Sequence, residues 1–383
     1  MREVVIVHAC RTAVGRNKGS LTHTRSDELL ATVLDQLVTD VKVEKKIVED
    51  VVVGCVTQVN EQAMNIARTS ALIAGFPIDV PGVTIDRQCG SSQQAVHFAA
   101  QAIASGDMDV VIAGGVESMS RHKMFSNVGD TKPSSLLTDK YEIVNQGIAA
   151  EKIAEQWNLS RDQLDEFAYE SHQKAIQAID EGVFEEEIVP VQVTDEDGNE
   201  HTFDTDEGPR RDTPLEKLHQ LSPVFMEQGN ITAGNASQMS DGASAVLLMS
   251  REKAEQLGLR PRAKIVARTA IGSDPTLMLT GPIAATKKVL KKSNMTIEDI
   301  DFYEVNEAFA PVPLAWLHDT GADPAKLNIH GGAIALGHPL GATGTKLLTT
   351  LLHSLESRQK KYGLLAICEG MGMANATIIE RME

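Results

Sequence analysis

Aromatic residues are scarce in this chain: Phe, Tyr and Trp together make up 4% of 383 residues. Cations are outnumbered as well, with 36 Lys and Arg against 53 Asp and Glu and a net charge of −17. A chain without a basic face interleaved with aromatics is not expected to bind nucleic acid. An anionic small ligand is not excluded, but its phosphates would have to meet a local cationic patch or backbone N–H groups. No apolar run approaches the ~18 residues that cross a bilayer, so no membrane span is expected. No charged-then-apolar leader is read ahead of the first strand, Val4-Val5-Ile6-Val7, and a cytoplasmic location is the expectation. The four cysteines, Cys10, Cys55, Cys89 and Cys368, are too few for a disulfide framework at this length. No C-x-x-C pair is present, and a cysteine zinc site is not expected.

What is present is a 42% apolar chain long enough for two or three units of roughly 100–200 residues. Strands and helices alternate, which predicts an α/β protein. The first part reads as strand Val4–Ala9, a helix near Asp27–Thr39, strand Val51–Cys55, a helix near Ala63–Ala74, strand Val83–Asp86, helix Gln93–Ser105 and strand Val110–Ala113, ended by Gly114-Gly115. The last part repeats the theme. Strand Ala263–Ala270 and helix Pro282–Lys292 are followed by strand Ile300–Glu304 and helix material from Ala308. The turn Gly331–Gly344 leads to helix Thr345–Ser357 and strands Leu364–Ile367 and Ala376–Glu380. This order predicts an internal duplication, with Cys89 opposite the His338 turn and Gly114-Gly115 opposite the turn after Cys368. The halves are 1–118, completed by about 240–261, and 262–383.

Between them, 119–239 is richer in charge and irregular stretches. It holds one amphipathic helix, Asp162–Glu181, and an acidic, turn-like segment, Thr194–Thr205. It reads as an inserted domain over the open end of the sheets, where such covers commonly hold substrate.

Four side chains at strand ends and turns are candidates for chemistry. Cys89 follows Val83-Thr84-Ile85-Asp86 and precedes Gly90-Ser91-Ser92, where a helix begins. A thiol there is either a small buried hydrophobe or a nucleophile whose pKa the helix N-terminus lowers and whose oxyanion its N–H groups can hold. His338 lies in a glycine-dense turn that lets backbones approach closely, and a histidine near a thiol can take its proton. Asn306 is either a helix cap or an amide that orients a water or carbonyl. Cys368 follows Leu364-Leu365-Ala366-Ile367; alone it would be an ordinary strand-end cysteine, and Cys10 and Cys55 read as core.

Taken in order, these motifs resemble the thiolase family over nearly the full length. The resemblance rests on Arg11-Thr12-Ala13-Val14-Gly15, Cys89 before its helix, Ala113-Gly114-Gly115-Val116-Glu117-Ser118-Met119-Ser120, and Thr232-Ala233-Gly234-Asn235-Ala236-Ser237 with Asp241-Gly242-Ala243. It continues in Asn306-Glu307-Ala308-Phe309, Gly331 to Pro339, and Cys368-Glu369-Gly370. It implies a five-layered α/β/α/β/α fold from two duplicated halves plus a loop domain. It implies reversible, CoA-dependent thiolytic cleavage of 3-ketoacyl-CoA to acetyl-CoA and a shortened acyl-CoA, through an acyl-Cys89 intermediate with ping-pong kinetics. In that scheme His338 is the base and part of an oxyanion hole, Asn306 holds the water that completes it, and Cys368 is the acid/base at the acetyl carbon. Gly370 supplies a backbone donor to a second hole. No permanently bound cofactor is implied; CoA and acyl-CoA are substrates. They would meet Ser237 and Ala233 at the pantetheine arm, Arg210, Leu221 and Phe225 at the nucleotide end, and Met278, Ala308 and Phe309 along the channel. Arg210 and Arg211 suit phosphate, or are a solvated surface pair. The family implies a homodimer or homotetramer and allows a β-oxidation partner subunit.

Three departures from the family pattern stand out. Met371 replaces a glycine, Gly90-Ser91-Ser92 follows the nucleophile, and Asn145-Gln146 replaces a His-Met pair of the acetoacetyl-specific branch. The last of these weakens the reading as a biosynthetic acetoacetyl-CoA thiolase and favours a degradative enzyme for longer or bulkier acyl groups. Cys368 argues against a decarboxylating synthase, and the retained Cys89, His338, Asn306 and Cys368 argue against a non-catalytic acyl-CoA-binding relative.

Overall fold

The computed structural model describes residues 2–195 and 197–383. The first half runs β1 (Val4–Thr12), α1 (Ser26–Asp40), β2 (Asp50–Gly54), α2 (Ile66–Ile73), β3 (Gly82–Ile85), α3 (Ser91–Ser105) and β4 (Val110–Ser118). Helices α4 (Gln146–Gln156) and α5 (Arg161–Asp180) follow, then β5 (Ser240–Ser250). The second half runs β6 (Ala263–Gly272), α6 (Gly281–Ser293), β7 (Phe302–Val305), α7 (Pro311–Thr320), α8 (Thr343–Ser357), β8 (Tyr362–Glu369) and β9 (Met373–Arg381). These strands lie in the order β7-β8-β9-β6-β1-β5-β4-β2-β3, with Gly15–Arg16 and Ile188–Val189 attached at its side.

The duplication is visible in the register. In β1 and β5, Val5 pairs Met249 and Ile6 pairs Leu248, then the register slips so that His8 pairs Leu247. In β6 and β9, Lys264 pairs Glu380 and Ile265 pairs Ile379, then it slips at the same place and Ala267 pairs Ile378. The parallel pairs match too, Asp50 with Val111 and Phe302 with Gly363. A bulge kept at the same point in both halves is a strong mark of a repeated unit. Helices α3 and α8 are both 15 residues long, so Ser91 corresponds to Thr343, Cys89 to Gly341, and Asp86 to His338.

The halves meet where Val5 pairs Lys264 and Ile6 pairs Ala263. Both central helices touch both halves. Gln93 of α3 bonds Thr377 Oγ1 in β9 at 2.7 Å, and Thr345 of α8 bonds Ser244 Oγ in β5 at 2.6 Å. The residues of α8 from Thr343 to Leu355 are all buried, as a helix between two sheets must be. α1 and α2 cover one outer face, α6 and α7 the other. The result is the five-layered α/β/α/β/α arrangement.

Two expectations are corrected. Gly114-Gly115 do not end β4, which continues to Ser118 because β5 pairs with it along its whole length. The glycines serve close approach instead: a Cβ at Gly115 would overlap the Gly341 carbonyl. The turn-like acidic segment includes a hairpin, Val191–Thr194 with Glu200–Phe203; Glu196 lies outside the described residues. α5 matches its expected helix within one residue at each end and starts on a capping box, Ser160 with Gln163.

Candidate active site

Cys89 lies in the loop from β3 to α3, two residues before the helix starts, and Cys368 is the penultimate residue of β8. His338 stands on the loop before α8 and Asn306 on the first residue after β7. All four are buried. The folding reason is shared: each follows an apolar run that the sheet or its covering loops hold still. Gly337 takes φ +89° beside Ser240 and Val14, a conformation open to glycine, and so turns His338 inward. The His338 N–H then bonds Ser240 Oγ at 3.1 Å and the Gln238 carbonyl at 3.2 Å.

The imidazole is oriented by a residue that the sequence did not single out. His338 Nδ1 lies 2.6 Å from Thr343 Oγ1, and Thr343 donates its only proton to the Pro339 carbonyl at 2.9 Å. Nδ1 therefore carries the ring proton and Nε2 is the free lone pair, an assignment read from the hydrogen-bond network. Asn306 Nδ2 approaches Nε2 at 3.4 Å. The Asn306 amide also acts to lower the Cys368 thiol pKa, while its Oδ1 is buried without a partner among the described residues. That oxygen is oriented to accept from a water or a substrate N–H.

The electrostatics reverse one expectation. The N-terminus of α3 was expected to lower the Cys89 pKa. Instead burial pushes it well above its ordinary value, and Cys368 and Glu369 add to the shift. Burial, then Glu369, pushes Cys368 up to about 12, against a hydrogen bond from Asn306. Burial pulls His338 down to about 3, and Lys346 adds to that. The resting site thus holds neutral thiols and a neutral imidazole, a state in which Nε2 can accept a proton.

Above the thiols is a cavity of about 230 Å³, mostly apolar, whose wall includes Gln88, Phe125, Gln146, Phe225, Gly370 and Met371. Met278 and Phe309 line it as well. Phe225 meets Phe309 edge to face, ring centres 5.9 Å apart. The Ser237 N–H bonds the Ala308 carbonyl at 3.0 Å, and Ala236 bridges Phe309, so the 233–237 segment is laced to the loop after β7. Leu221 packs close to Gly234, beside exposed Ala233. Of the residues expected to meet CoA, Phe225, Met278 and Phe309 line this cavity, while Leu221, Ala233, Ser237 and Ala308 lie on the neighbouring segments and not on its wall. Arg210 lies apart, in a hollow with Arg16 and Gln238. Arg211 is paired with Asp180 at 2.6 and 3.0 Å, so of the two only Arg210 forms no ion pair among the described residues. Asn145 turns its side chain onto the Gly147 N–H at 2.8 Å, which caps α4.

A second overlooked residue is Glu369. Six residues beyond the counterparts Val111 and Gly363, β4 carries Glu117 and β8 carries Glu369. Glu117 accepts from the N–H groups of Val56, Thr57 and Gly341 at 2.9–3.0 Å and from Gln62 at 3.1 Å. Glu369 is buried, and neither of its oxygens has a hydrogen-bond partner among the described residues. No spacing in the sequence shows this; only the matched register does. Among the described residues no cluster of three or more His, Cys, Asp or Glu could hold a metal, and no helix is long and apolar enough to cross a membrane.

Residues 4–252 match the family described as Thiolase, N-terminal domain, and 259–381 match Thiolase, C-terminal domain. The chain is 49% identical to the steroid 3-ketoacyl-CoA thiolase FadA6 of Mycobacterium tuberculosis, over all of this chain and 95% of that protein. It is 42% identical to an acetyl-CoA acetyltransferase of Pseudomonas aeruginosa, with full coverage of both. The crystal structure of the Bacillus anthracis acetyl-CoA acetyltransferase superposes with a TM-score of 0.92 at 38% identity, covering 100% of this chain and 99% of that one.

Proposed function

The chain belongs to the thiolase family, and from that premise we propose that it cleaves 3-ketoacyl-CoA with CoA in the degradative direction, with a preference for longer or bulkier acyl groups. The observation that carries the reading is the apolar cavity walled by Phe125, Phe225, Met278 and Met371 directly beside Gly370, the residue next but one to Cys368. A bulky acyl tail bound there would gain burial at about 25 cal/mol per Å² of apolar surface. The name of the FadA6 relative, a steroid thiolase, supports the same direction.

The sequence of events follows from the groups at hand. Cys89 Sγ gives its proton to His338 Nε2 as it attacks the 3-keto carbon. The bond between the 2- and 3-carbons breaks, and Cys368 protonates the acetyl carbon as acetyl-CoA leaves. A second CoA thiol then gives its proton to the Cys368 thiolate and takes the acyl group from Cys89, whose sulfur recovers its proton from His338. The Asn306 amide with its water and the Gly370 N–H stabilise the oxyanions. Arg210, Ala233, Ser237 and Leu221 contact CoA. Location in the cytoplasm and assembly as a homodimer or homotetramer belong to the same proposal.

Thiolysis of a graded 3-ketoacyl-CoA series, followed as loss of enolate absorbance, tests this. The expected result is kcat/KM rising with acyl bulk and abolished in Cys89→Ala. Highest kcat/KM on acetoacetyl-CoA would overturn the preference. Equal inactivity of wild type and Cys89→Ala at every length would overturn the enzyme reading.

A further inference from the structure

Glu369 is the buried group that the reaction just described does not use. It lies at the end of β8, next in sequence to Cys368, and a Cβ at Gly90 would overlap its Oε1. Its carboxyl is therefore lodged against the Cys89–Gly90 turn. In the other half, Glu117 holds the matching strand position and accepts from the N–H groups of Gly341, the counterpart of Cys89, and of Val56 and Thr57. The corresponding loops of the two halves are held differently. Val56 and Thr57, which donate to Glu117, correspond to Ala308 and Phe309. In the second half that loop is drawn to the 235–237 segment, through Ser237 N–H to Ala308 O and Ala310 N–H to Asn235 O. Glu369 is left without those donors. An unpartnered buried carboxylate costs far more than a neutral carboxyl, so it is retained against a penalty that Glu117 does not face.

We propose that Glu369 is a positioning residue that gates the nucleophile: protonated, its carboxyl permits the Cys89 thiolate, and ionised, it opposes it. The proposal rests on reading Cys89 as the nucleophile. The groups that face Glu369 are Arg87 and Asp86 from the loop before α3, with Cys89 on that loop and Cys368 on β8. Burial raises Glu369 to about 8, with Arg87 opposing and Asp86 adding. Its charge in turn raises both thiols. The site thus contains a carboxyl that ionises close to physiological pH next to the two sulfurs whose charge it controls.

The test is the rate of alkylation of Cys89 by iodoacetamide, followed by mass spectrometry from pH 6 to 10, which needs no turnover. Glu369→Gln should match wild type below pH 7 and react ~10-fold faster above pH 9, the ratio given by a one-unit drop in thiol pKa. A ratio constant across pH overturns the proposal, whatever the outcome with ketoacyl-CoA. Should Glu369→Gln not fold, Arg87→Met decides. Removing the cation that faces the carboxyl should move the slowing seen in wild type to higher pH, and no movement overturns the proposal. Glu117→Gln is the structural control: Glu117 also raises the Cys89 thiol, so the variant should lower the unfolding temperature and shift the overall alkylation rate, but keep the slowing that sets in near pH 8.

Discussion

Thr343 Oγ1 lies 2.6 Å from His338 Nδ1 while its own proton goes to the Pro339 carbonyl, which fixes the imidazole with Nε2 open. Thr343→Val removes that acceptor and lets the ring change tautomer. One buried hydrogen bond is worth about 1–1.5 kcal/mol. The expected outcome is therefore a ~10-fold fall in thiolysis kcat with little change in KM. Thr343→Ser, which keeps the hydroxyl, should restore the rate. Steady-state kinetics of the two variants decide between an orienting threonine and a filler.

The two thiols should separate by reaction step. Cys368→Ala should keep acyl exchange between labelled and unlabelled CoA, which needs only Cys89. It should lose carbon–carbon cleavage by ~10²–10⁴, the size of a missing general acid or base. Cys89→Ala should lose both. Equal loss of exchange in Cys368→Ala would rule out the division of labour.

Met371 holds φ +64°, is 45% exposed and forms part of the cavity wall. A left-handed backbone costs a non-glycine residue about 1–2 kcal/mol, while glycine adds about 0.4–1 kcal/mol of unfolded-state entropy. Met371→Gly should therefore raise stability by up to about 1 kcal/mol in urea unfolding. It should also widen the pocket and lower KM for the bulkiest acyl-CoA. Met371→Ile, β-branched at the same φ, should destabilise instead.

The titrating groups predict a pH response with two signs. Burial places His338 at about 3, so kcat/KM should show no limb near 6.5, where an exposed histidine would titrate. Glu369 is raised from 4.5 to about 8, so the folded state holds a proton that the unfolded chain releases. Its contribution to stability is complete below about pH 4.5 and is lost as pH rises towards 8. Unfolding free energies at pH 5 and pH 8.5 should differ less in Glu369→Gln than in wild type.

Much of this was legible in the chain. Cys89, His338, Asn306 and Cys368 follow apolar runs or glycine-dense turns, and such local patterns survive folding because strand ends and turns are set by nearby residues. The alternation of elements gave the duplicated α/β plan for the same reason. No local pattern marks β5 as a strand; its sequence shows only a segment that completes the first half. All 11 of its residues are buried, so no polar alternation marks it, and its partners β1 and β4 lie far away in sequence. Gly114-Gly115 read as a strand end because local propensity says nothing of a neighbouring backbone that requires the missing side chains.

Sequence alone determined which groups this protein brings to its chemistry and the order of the elements that carry them. Tertiary structure decided their state. The helix N-terminus beside Cys89 favours a thiolate, but desolvation by the surrounding layers outweighs it and keeps the thiol neutral. The same packing leaves Glu369, among the described residues, without donors like those that satisfy Glu117, and it ties the loop after β7 to 235–237. Both results depend on which distant segments exclude water from the site, and that is fixed only when the layers close.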